Sequence, residues 1–322
     1  KVRQLVTDLT DEKAPLYIET SGSTGPPKKL ALSYRQMLAS ADLTLTHFRL
    51  QPKAKVLLCL PMTAISGVMM VVRAMRGGLD LYLQPPSAQP LKPYQSQGNG
   101  FFDFIAMTPY QLTHSIAHLD LAKRVLVGGA ALTPEHMVAL PSHTKTKIVE
   151  SYGMTETLTH VALRERFPRN EPYFKALGDV HFELGSANNL VIYAPHLQEA
   201  PYVTSDEVRL LSEMEFDYIG RTDHVINSGG IKFFSAAIEQ KLQHLISENF
   251  FVYGRPHDTL GQQIVLVVEG ASTDRIHALV QALDAIQWKP YERPKEVLTL
   301  NRFRFTHTQK IDRRATFERL DL

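Results

Sequence analysis

Thr20 to Lys28 reads TSGSTGPPK, a run of hydroxyls and glycines closed by a lysine. Gly22 and Gly25 let the backbone approach a polyphosphate closely. Ser21, Ser23 and Thr24 add hydroxyl donors beside Thr20, and Lys28 supplies a positive charge at the far end. A triphosphate is the natural guest of such a loop. The stretch is not a Walker A loop, which needs four residues between its glycines followed by Lys-Ser/Thr, whereas Gly22 and Gly25 are three apart. The bland alternative is a flexible Ser/Gly linker. Its position argues against that, since it lies between a strand-like run, Leu16-Tyr17-Ile18, and a helix-like one from Tyr34 to Phe48.

The rest of the chain is large enough to be machinery around that loop. Its 322 residues correspond to about two domains, each able to bury a core without disulfides or metals. A hydrophobic content of 44%, 21% charged residues and a net charge of +2 fit an ordinary globular protein and argue against a nucleic-acid-coating or disordered one. Cys59 lies inside the apolar run Val56 to Leu60, so it reads as a core residue in a reducing compartment. Lys1 to Lys13 has no apolar signal core, and no stretch approaches the ~18 apolar residues a membrane span needs. These features predict a cytoplasmic protein with neither membrane nor nucleic-acid partners.

From Lys55 to Ser151 short apolar runs alternate with helix-like segments, a rhythm that predicts a mainly parallel sheet covered by helices. Ile65 to Met75, Tyr110 to Leu119 and Pro134 to Leu140 are the expected helices; Gln84 to Gly100, rich in Pro, Gln and Ser, is expected to be a long surface loop. After Leu184 the segments Leu190 to Tyr193, Val208 to Leu211 and Phe216 to Ile219 predict antiparallel strands. Gly220-Arg221-Thr222-Asp223 then marks a turn-rich junction. Beyond it, a helix from about Ala236 to Ile246, strands near Phe251 and Ile264 to Val268, a helix from Asp274 to Ile286 and a basic tail predict a small α+β domain. The expected division is residues 1–220 and 221–322.

Further blocks follow the first loop in an order that fits one chemistry. They are Tyr152-Gly153-Met154-Thr155-Glu156-Thr157, Thr204-Ser205-Asp206, Gly220 to Asp223, and Gln309-Lys310-Ile311-Asp312-Arg313. Read on their residues alone, Tyr152 offers an aromatic face or a packing surface, Thr155 a hydroxyl, and Glu156 a hard oxygen ligand for a cation. Asp206 can accept both hydroxyls of a ribose or be a solvated turn residue. Together the blocks resemble the AMP-forming adenylating enzymes, the superfamily of acyl-CoA ligases, luciferases and peptide-synthetase adenylation domains. The resemblance implies an α/β fold: a large N-terminal domain with mainly parallel sheets and helices, lacking most of the usual N-terminal subdomain, and a small, mobile C-terminal α+β domain.

It also implies roles. Thr20 to Lys28 would hold the phosphates of ATP, and Gly128-Gly129-Ala130 would line the adenine pocket with Tyr152 and Gly153. Asp206 would take the ribose, Arg221 would be a further cofactor-binding residue, and Glu156 would hold the Mg²⁺. Lys310 would bridge the carboxylate and α-phosphate oxygens, acting with Thr155 and Glu156 as the catalytic set. The C-terminal domain would then turn about the hinge residue Asp223. Ser228, Gly229 and Gly230 would thereby face the site, leaving room for the pantetheine arm of CoA.

Within the superfamily the segments LLCLPMTAISGVMMVVRA, FDFIAMTPYQL, VGGAAL, ESYGMTETLTHVALRE and GRTDHVINSGGIK are most similar to the o-succinylbenzoate-CoA ligases of menaquinone synthesis. The chain departs from the usual pattern at Lys29, Ala64, Gln309 and Ser235-Ala236-Ala237. A dicarboxylate substrate needs a cation or hydrogen-bond donors for its second carboxylate. Ser66, Gly67, Arg73 and His160, in or beside the segments expected to line the acyl pocket, are the candidates. Arg73 has the alternative of snorkelling to solvent, and His160 that of a satisfied core histidine. The His114/His118 pair reads as an exposed helical face rather than a zinc site. A nucleotide-binding protein that had lost catalysis would need neither Glu156 nor Lys310.

Overall fold

The computed structural model describes residues 7, 15–19, 29–186, 188–222, 225–305 and 311–320. Contacts divide the chain into two compact units, one built mainly from 29–204 with 209–218, the other from 205–208 with 219–320. Among the described residues no helix is long and apolar enough to cross a membrane.

The first unit opens with an antiparallel pair, β1 (Leu16–Glu19) and β2 (Lys29–Leu32), with Leu16 opposite Leu32 and Glu19 opposite Lys29. The TSGSTGPPK stretch therefore joins two paired strands; the stretch itself lies outside the described residues. Strand β2 is an element the sequence reading passes over on its way from Lys28 to the helix. Helix α1 (Tyr34–Phe48) has the expected bounds. Ser33 and Gln36 form a reciprocal capping box at its start, and Arg49, in the left-handed region, ends it. Its buried stripe is Met37, Ser40, Ala41, Thr44 and Phe48, a helical repeat that includes two hydroxyls.

Eleven strands form one sheet: β3 (Lys55–Leu58), β4 (Asp80–Leu83), β5 (Phe104–Met107), β6 (Arg124–Val127), β7 (Lys147–Gly153), β8 (His160–Phe167), β9 (Phe174–Ala176), β10 (His181–Leu184), β11 (Asn189–Tyr193), β12 (Tyr202–Ser212) and β13 (Glu215–Arg221). Their order is β10-β11-β12-β13-β9-β8-β7-β6-β5-β3-β4. The pairs from β4 to β7 are parallel, as the alternating rhythm predicts. Antiparallel pairing sets in at β7–β8, earlier than the sequence reading places it, and the later strands extend the same sheet.

Helices α2 (Ile65–Gly77), α3 (Pro109–His114) and α4 (Pro134–Val138) lie in the parallel part of the chain. The helix expected from Tyr110 to Leu119 is broken: α3 stops at His114, Ser115 leaves the helical basin, and Ile116–Leu121 is a 3-10 turn. His114 and His118 thus do not share one α-helical face. Leu57, Cys59, Phe102, Ile105, Val125, Val127 and Ile148 fill the core beneath. Burial pushes the Cys59 thiol up to about 12, which keeps it protonated and unreactive.

The second unit holds β14 (Val225–Ser228), β15 (Ile231–Phe234), α5 (Ser235–Leu242), β16 (Phe250–His257), β17 (Gly261–Glu269), α6 (Thr273–Asp284), β18 (Glu296–Leu300) and α7 (Arg313–Phe317). Its sheet runs β15-β14-β17-β16, with β18 parallel to β17. Helix α5 ends a turn before the expected Ile246, and Ser272 caps α6. Ile226, Ile238, Leu242, Leu266, Leu279 and Leu283 make its core.

A buried charge cluster fixes the middle of the large sheet. The Glu150 side chain on β7 is 2% exposed. One of its oxygens accepts from Leu132 N–H at 2.9 Å, the other from Arg164 Nε at 2.8 Å and Arg166 Nη1 at 3.2 Å. Glu150→Ala would strand both guanidinium groups and an amide together. It should destabilise the protein by about 3–5 kcal/mol, read as a lower midpoint in urea unfolding. A change under about 1 kcal/mol, the level of exposed pairs, would mean the cluster relaxes without cost.

Candidate active site

Strand β7 carries the first part of the site. Tyr152 is half-buried, its ring 5.0 Å from Phe216, 5.7 Å from Phe174 and 6.0 Å from Tyr218, so it is set among aromatic side chains. A Cβ on Gly153 would lie 2.1 Å from the Thr159 carbonyl, which makes glycine obligatory where the chain turns back into β8. The loop between them is held by Thr157. Its hydroxyl lies 3.1 Å from Met154 O and 2.8 Å from Thr159 O and accepts from Met154 N–H at 3.0 Å. Leu158, at φ 64°, completes the turn. With Thr157 buried as the latch, Thr155 is half-buried and Glu156 exposed.

The exposed carboxylate suits Mg²⁺, which is usually held by one or two carboxylates together with the phosphates it accompanies. Among the described residues no cluster of three or more His, Cys, Asp and Glu could hold a metal by protein ligands alone. Tyr202 stands near enough to feel Glu156: burial first, then that carboxylate, raises its phenol pKa.

Gly128-Gly129-Ala130 follows β6 directly. Gly128 N–H donates to Met107 O at 3.1 Å. A Cβ there would meet Ser151 Oγ at 2.5 Å, and that hydroxyl is itself bonded to Val127 O at 3.0 Å. Gly129 has φ +88°, a Cβ added there would meet nothing within 4 Å among the described residues, and Ala130 is exposed. The segment is then tied down by Leu132 N–H on Glu150. The loop is thus fixed at both ends and bare in the middle, as a surface for a flat ring would be.

The acyl-pocket candidates lie on α2 and β8, where Arg73 and His160 share Thr44 as a partner. Gly67 is packed so that a Cβ would come 2.3 Å from Pro61 O, and Ser66 beside it is half-buried. About two turns further along α2, Arg73 is 2% exposed, which overturns the snorkelling alternative. Its Nε donates to Thr44 Oγ1 at 3.1 Å and its Nη1 approaches Met70 Sδ at 3.8 Å. His160, 7% exposed, places Nε2 3.2 Å from the same Thr44 oxygen. Among the described residues no carboxylate bonds either group. Burial lowers the Arg73 guanidinium to about 10. Burial, then Arg73 and His47, hold His160 well below the value of a free imidazole.

In the second unit, Asp206 on β12 is buried and lies 3.4 Å from Arg221 Nη1 on β13. Thr222 Oγ1 donates to Ser205 O at 3.0 Å. Thr204, the first residue of the Thr-x-Asp block, spends its hydroxyl on Leu190 O at 2.9 Å inside the sheet. Gly229 and Gly230, at φ +59° and +78°, form the two-residue turn between β14 and β15. Such a turn demands positive φ at both positions, so hairpin geometry alone accounts for these glycines, while Ser228 is buried at the strand end. Asp223 and Lys310 lie outside the described residues.

Three contributors were not legible as site residues: Thr44, which joins Arg73 to His160; Glu150, which anchors the glycine loop; and Thr157, which latches the Glu156 turn. The one signal for Thr44 is a hydroxyl on the apolar stripe of α1.

His160 makes the first unit sensitive to acid. Its folded pKa lies well below the unperturbed 6.5, so below pH 6.5 the unfolded chain takes up a proton that the folded chain refuses. This contribution is full above pH 6.5 and is lost as pH falls towards the folded pKa. Thermal melts from about pH 8 to about pH 5 should show a falling midpoint, and His160→Gln should flatten the fall. Parallel slopes for the two proteins would assign it elsewhere.

Comparison with known proteins agrees with this geometry. The family described as AMP-binding enzyme matches residues 6–182. An acyl-CoA synthetase (AMP-forming)/AMP-acid ligase II-like protein from Dyadobacter fermentans is 32% identical, with 98% of this chain and 93% of that one covered and a TM-score of 0.62. A probable 2-succinylbenzoate–CoA ligase from Mycobacterium tuberculosis is 24% identical over 98% of this chain and 86% of its own length. The fold of an O-succinylbenzoate Coenzyme A Synthetase from Bacillus subtilis, solved with ATP and magnesium ion, superposes with a TM-score of 0.79 at 17% identity, covering 94% of this chain and 69% of that one. With a bare glycine loop after β6, an exposed carboxylate on a latched turn and a family match over more than half its length, the chain belongs to the AMP-binding enzyme family.

Proposed function

We propose that the protein is an AMP-forming acid–thiol ligase that activates a dicarboxylate, o-succinylbenzoate, with ATP and passes the acyl group to CoA, a step of menaquinone synthesis in the cytoplasm. The observation that carries the dicarboxylate is Arg73, a guanidinium taken out of water with no carboxylate bonded to it among the described residues. A buried charge of that kind is costly unless an anion arrives to pair with it. The names of the relatives from Mycobacterium tuberculosis and Bacillus subtilis point to the same acid.

In this reading residues 1–220 bind ATP and the acid, and residues 221–322 form the mobile domain that carries Lys310. Thr20 to Lys28 hold the phosphates, Gly128 to Ala130 and Tyr152 the adenine, and Asp206 with Arg221 the ribose. Mg²⁺, held by Glu156, would neutralise charge on the phosphates. One carboxylate of the acid is the nucleophile; its oxygen bonds the α-phosphorus as the bond to pyrophosphate breaks. Lys310 and the Thr155 hydroxyl stabilise the charge that develops. No protein nucleophile is needed. The thiolate of CoA then attacks the acyl carbonyl and AMP leaves, after the C-terminal domain has turned about Asp223 and brought Ser228 to Gly230 to the acceptor side.

Incubation with ATP, CoA and a panel of carboxylic acids should yield AMP, pyrophosphate and a thioester, with o-succinylbenzoate as the preferred acid. Formation of ADP and orthophosphate would sink the adenylation chemistry. Turnover of benzoates or fatty acids without o-succinylbenzoate would move the protein to another acyl- or aryl-CoA ligase specificity.

Lys310→Ala should slow acyl-adenylate formation by roughly 10²- to 10³-fold while sparing thioester formation from supplied acyl-adenylate. Equal losses in both half-reactions would assign Lys310 a structural role.

A further inference from the structure

Thr44 is fully buried, at the crossing of three elements, and carries no role in the chemistry described so far. Its hydroxyl has three neighbours: Ser40 O at 3.3 Å on its own helix α1, Arg73 Nε at 3.1 Å from α2, and His160 Nε2 at 3.2 Å from β8. A hydroxyl has one hydrogen to give and two lone pairs. Ser40 O can only accept and Arg73 Nε–H can only donate. All three contacts are satisfied together when the Thr44 hydrogen goes to Ser40 O and the lone pairs receive Arg73 Nε–H and an Nε2–H of His160. This arrangement leaves His160 as the Nε2–H tautomer, its Nδ1 lone pair free of Thr44.

The same bond restricts the guanidinium. With Nε committed to Thr44, the two terminal nitrogens are the fork that remains for a carboxylate, and a planar fork held at its base loses little freedom on pairing. Met70 Sδ, 3.8 Å from Nη1, is a weak acceptor that an anion would readily outcompete. The pair Ser40 Oγ and Thr159 Oγ1, 2.8 Å apart, fastens α1 to the chain just before His160, so the Thr44 acceptor and the His160 donor are held together by a second contact between helix and strand.

We propose that Thr44 is a specificity-determining positioning residue: its buried hydroxyl aims Arg73 and sets the His160 tautomer, and so selects acids that carry a second carboxylate. The inference rests on the dicarboxylate reading above and adds to it the residue that makes Arg73 selective. Thr44 does not touch the reacting atoms; it acts through Arg73 and His160.

The test compares wild type, Thr44→Val, which keeps the shape and removes the hydroxyl, and Thr44→Ser, which keeps the hydroxyl. Each is assayed with o-succinylbenzoate and with its analogue bearing hydrogen in place of the aromatic carboxylate. Hydrogen bonds to charged groups are worth about tenfold to a hundredfold in affinity. Thr44→Val should therefore raise KM for the dicarboxylate by that factor, with kcat and the KM for ATP unchanged and the analogue unaffected. Thr44→Ser should restore the wild-type KM to within about threefold, below the effect of one such bond.

Equal losses for both acids, or a wild-type preference that survives in Thr44→Val, would overturn the role of Thr44 alone. A wild type that does not prefer the dicarboxylate would overturn the substrate reading and the selectivity with it. Imidazole nitrogen chemical shifts of wild type, read by NMR without any substrate, provide a second measurement that stands even if Thr44→Val does not fold. His160 should be the Nε2–H tautomer. An Nδ1–H tautomer would overturn the proposal.

Discussion

Strand β7 is the seam on which the first unit depends, because it pairs in parallel with β6 on one side and antiparallel with β8 on the other. Parallel neighbours must return by a crossover and place their loops at one end of the sheet. An antiparallel neighbour returns at once, in a tight turn. Both constraints act on the same end of β7. The bare loop after β6 and the Thr155–Glu156 turn before β8 are therefore consequences of one change in strand direction. Glu150 holds the seam closed by bonding Leu132 from the β6 side and Arg164 and Arg166 from the β8 side. The charge cluster is costly to desolvate, yet once formed it leaves little freedom in the spacing of the two loops.

A second constraint runs the other way. Most buried groups here are apolar, but Arg73 and His160 are titratable groups whose charged forms burial disfavours. One is a cation whose pKa burial pulls down to about 10, the other an imidazole kept from protonating. Positions 40 and 44 of the buried stripe of α1 carry hydroxyls where its other members are Met, Ala and Phe. The hydroxyls there hold polar groups in set directions: Thr44 meets Arg73 and His160, and Ser40 meets Thr159. Strain of this kind concentrates where a ligand is to supply the missing partner.

How much of this was legible in the sequence depended on range. Helix α1 was readable because its apolar stripe repeats at helical spacing through Phe48 and its start carries a local signal, the Ser33–Gln36 box; the left-handed Arg49 that ends it is not a residue that announces a stop. The parallel strands were readable because burial on both faces makes them continuous apolar runs, as in Phe104 to Met107. Strand β2 was not, since Lys29 to Leu32 is short and abuts the glycine loop. The break at Ser115 was missed because the apolar period continues through it while the backbone does not. The Thr44–Arg73–His160 contact joins residues far apart in the chain, and no local pattern announces such a meeting.

The glycines of the two units carry different weight for the same reason. Gly128 and Gly153 are forced by close approach, to Ser151 Oγ and to Thr159 O, in places where a strand must turn beside a neighbour. Gly229 and Gly230 are forced by the handedness of a two-residue hairpin, with the Tyr291 ring resting on the first of them. A glycine that the fold already requires is weak support for any ligand that would also require it. Gly129 has a positive φ, and a Cβ added there would meet nothing within 4 Å among the described residues. Functional weight therefore falls on the open surface at Gly129 and on the polar groups at Thr44, Arg73 and His160, where local packing would have been served as well by other residues.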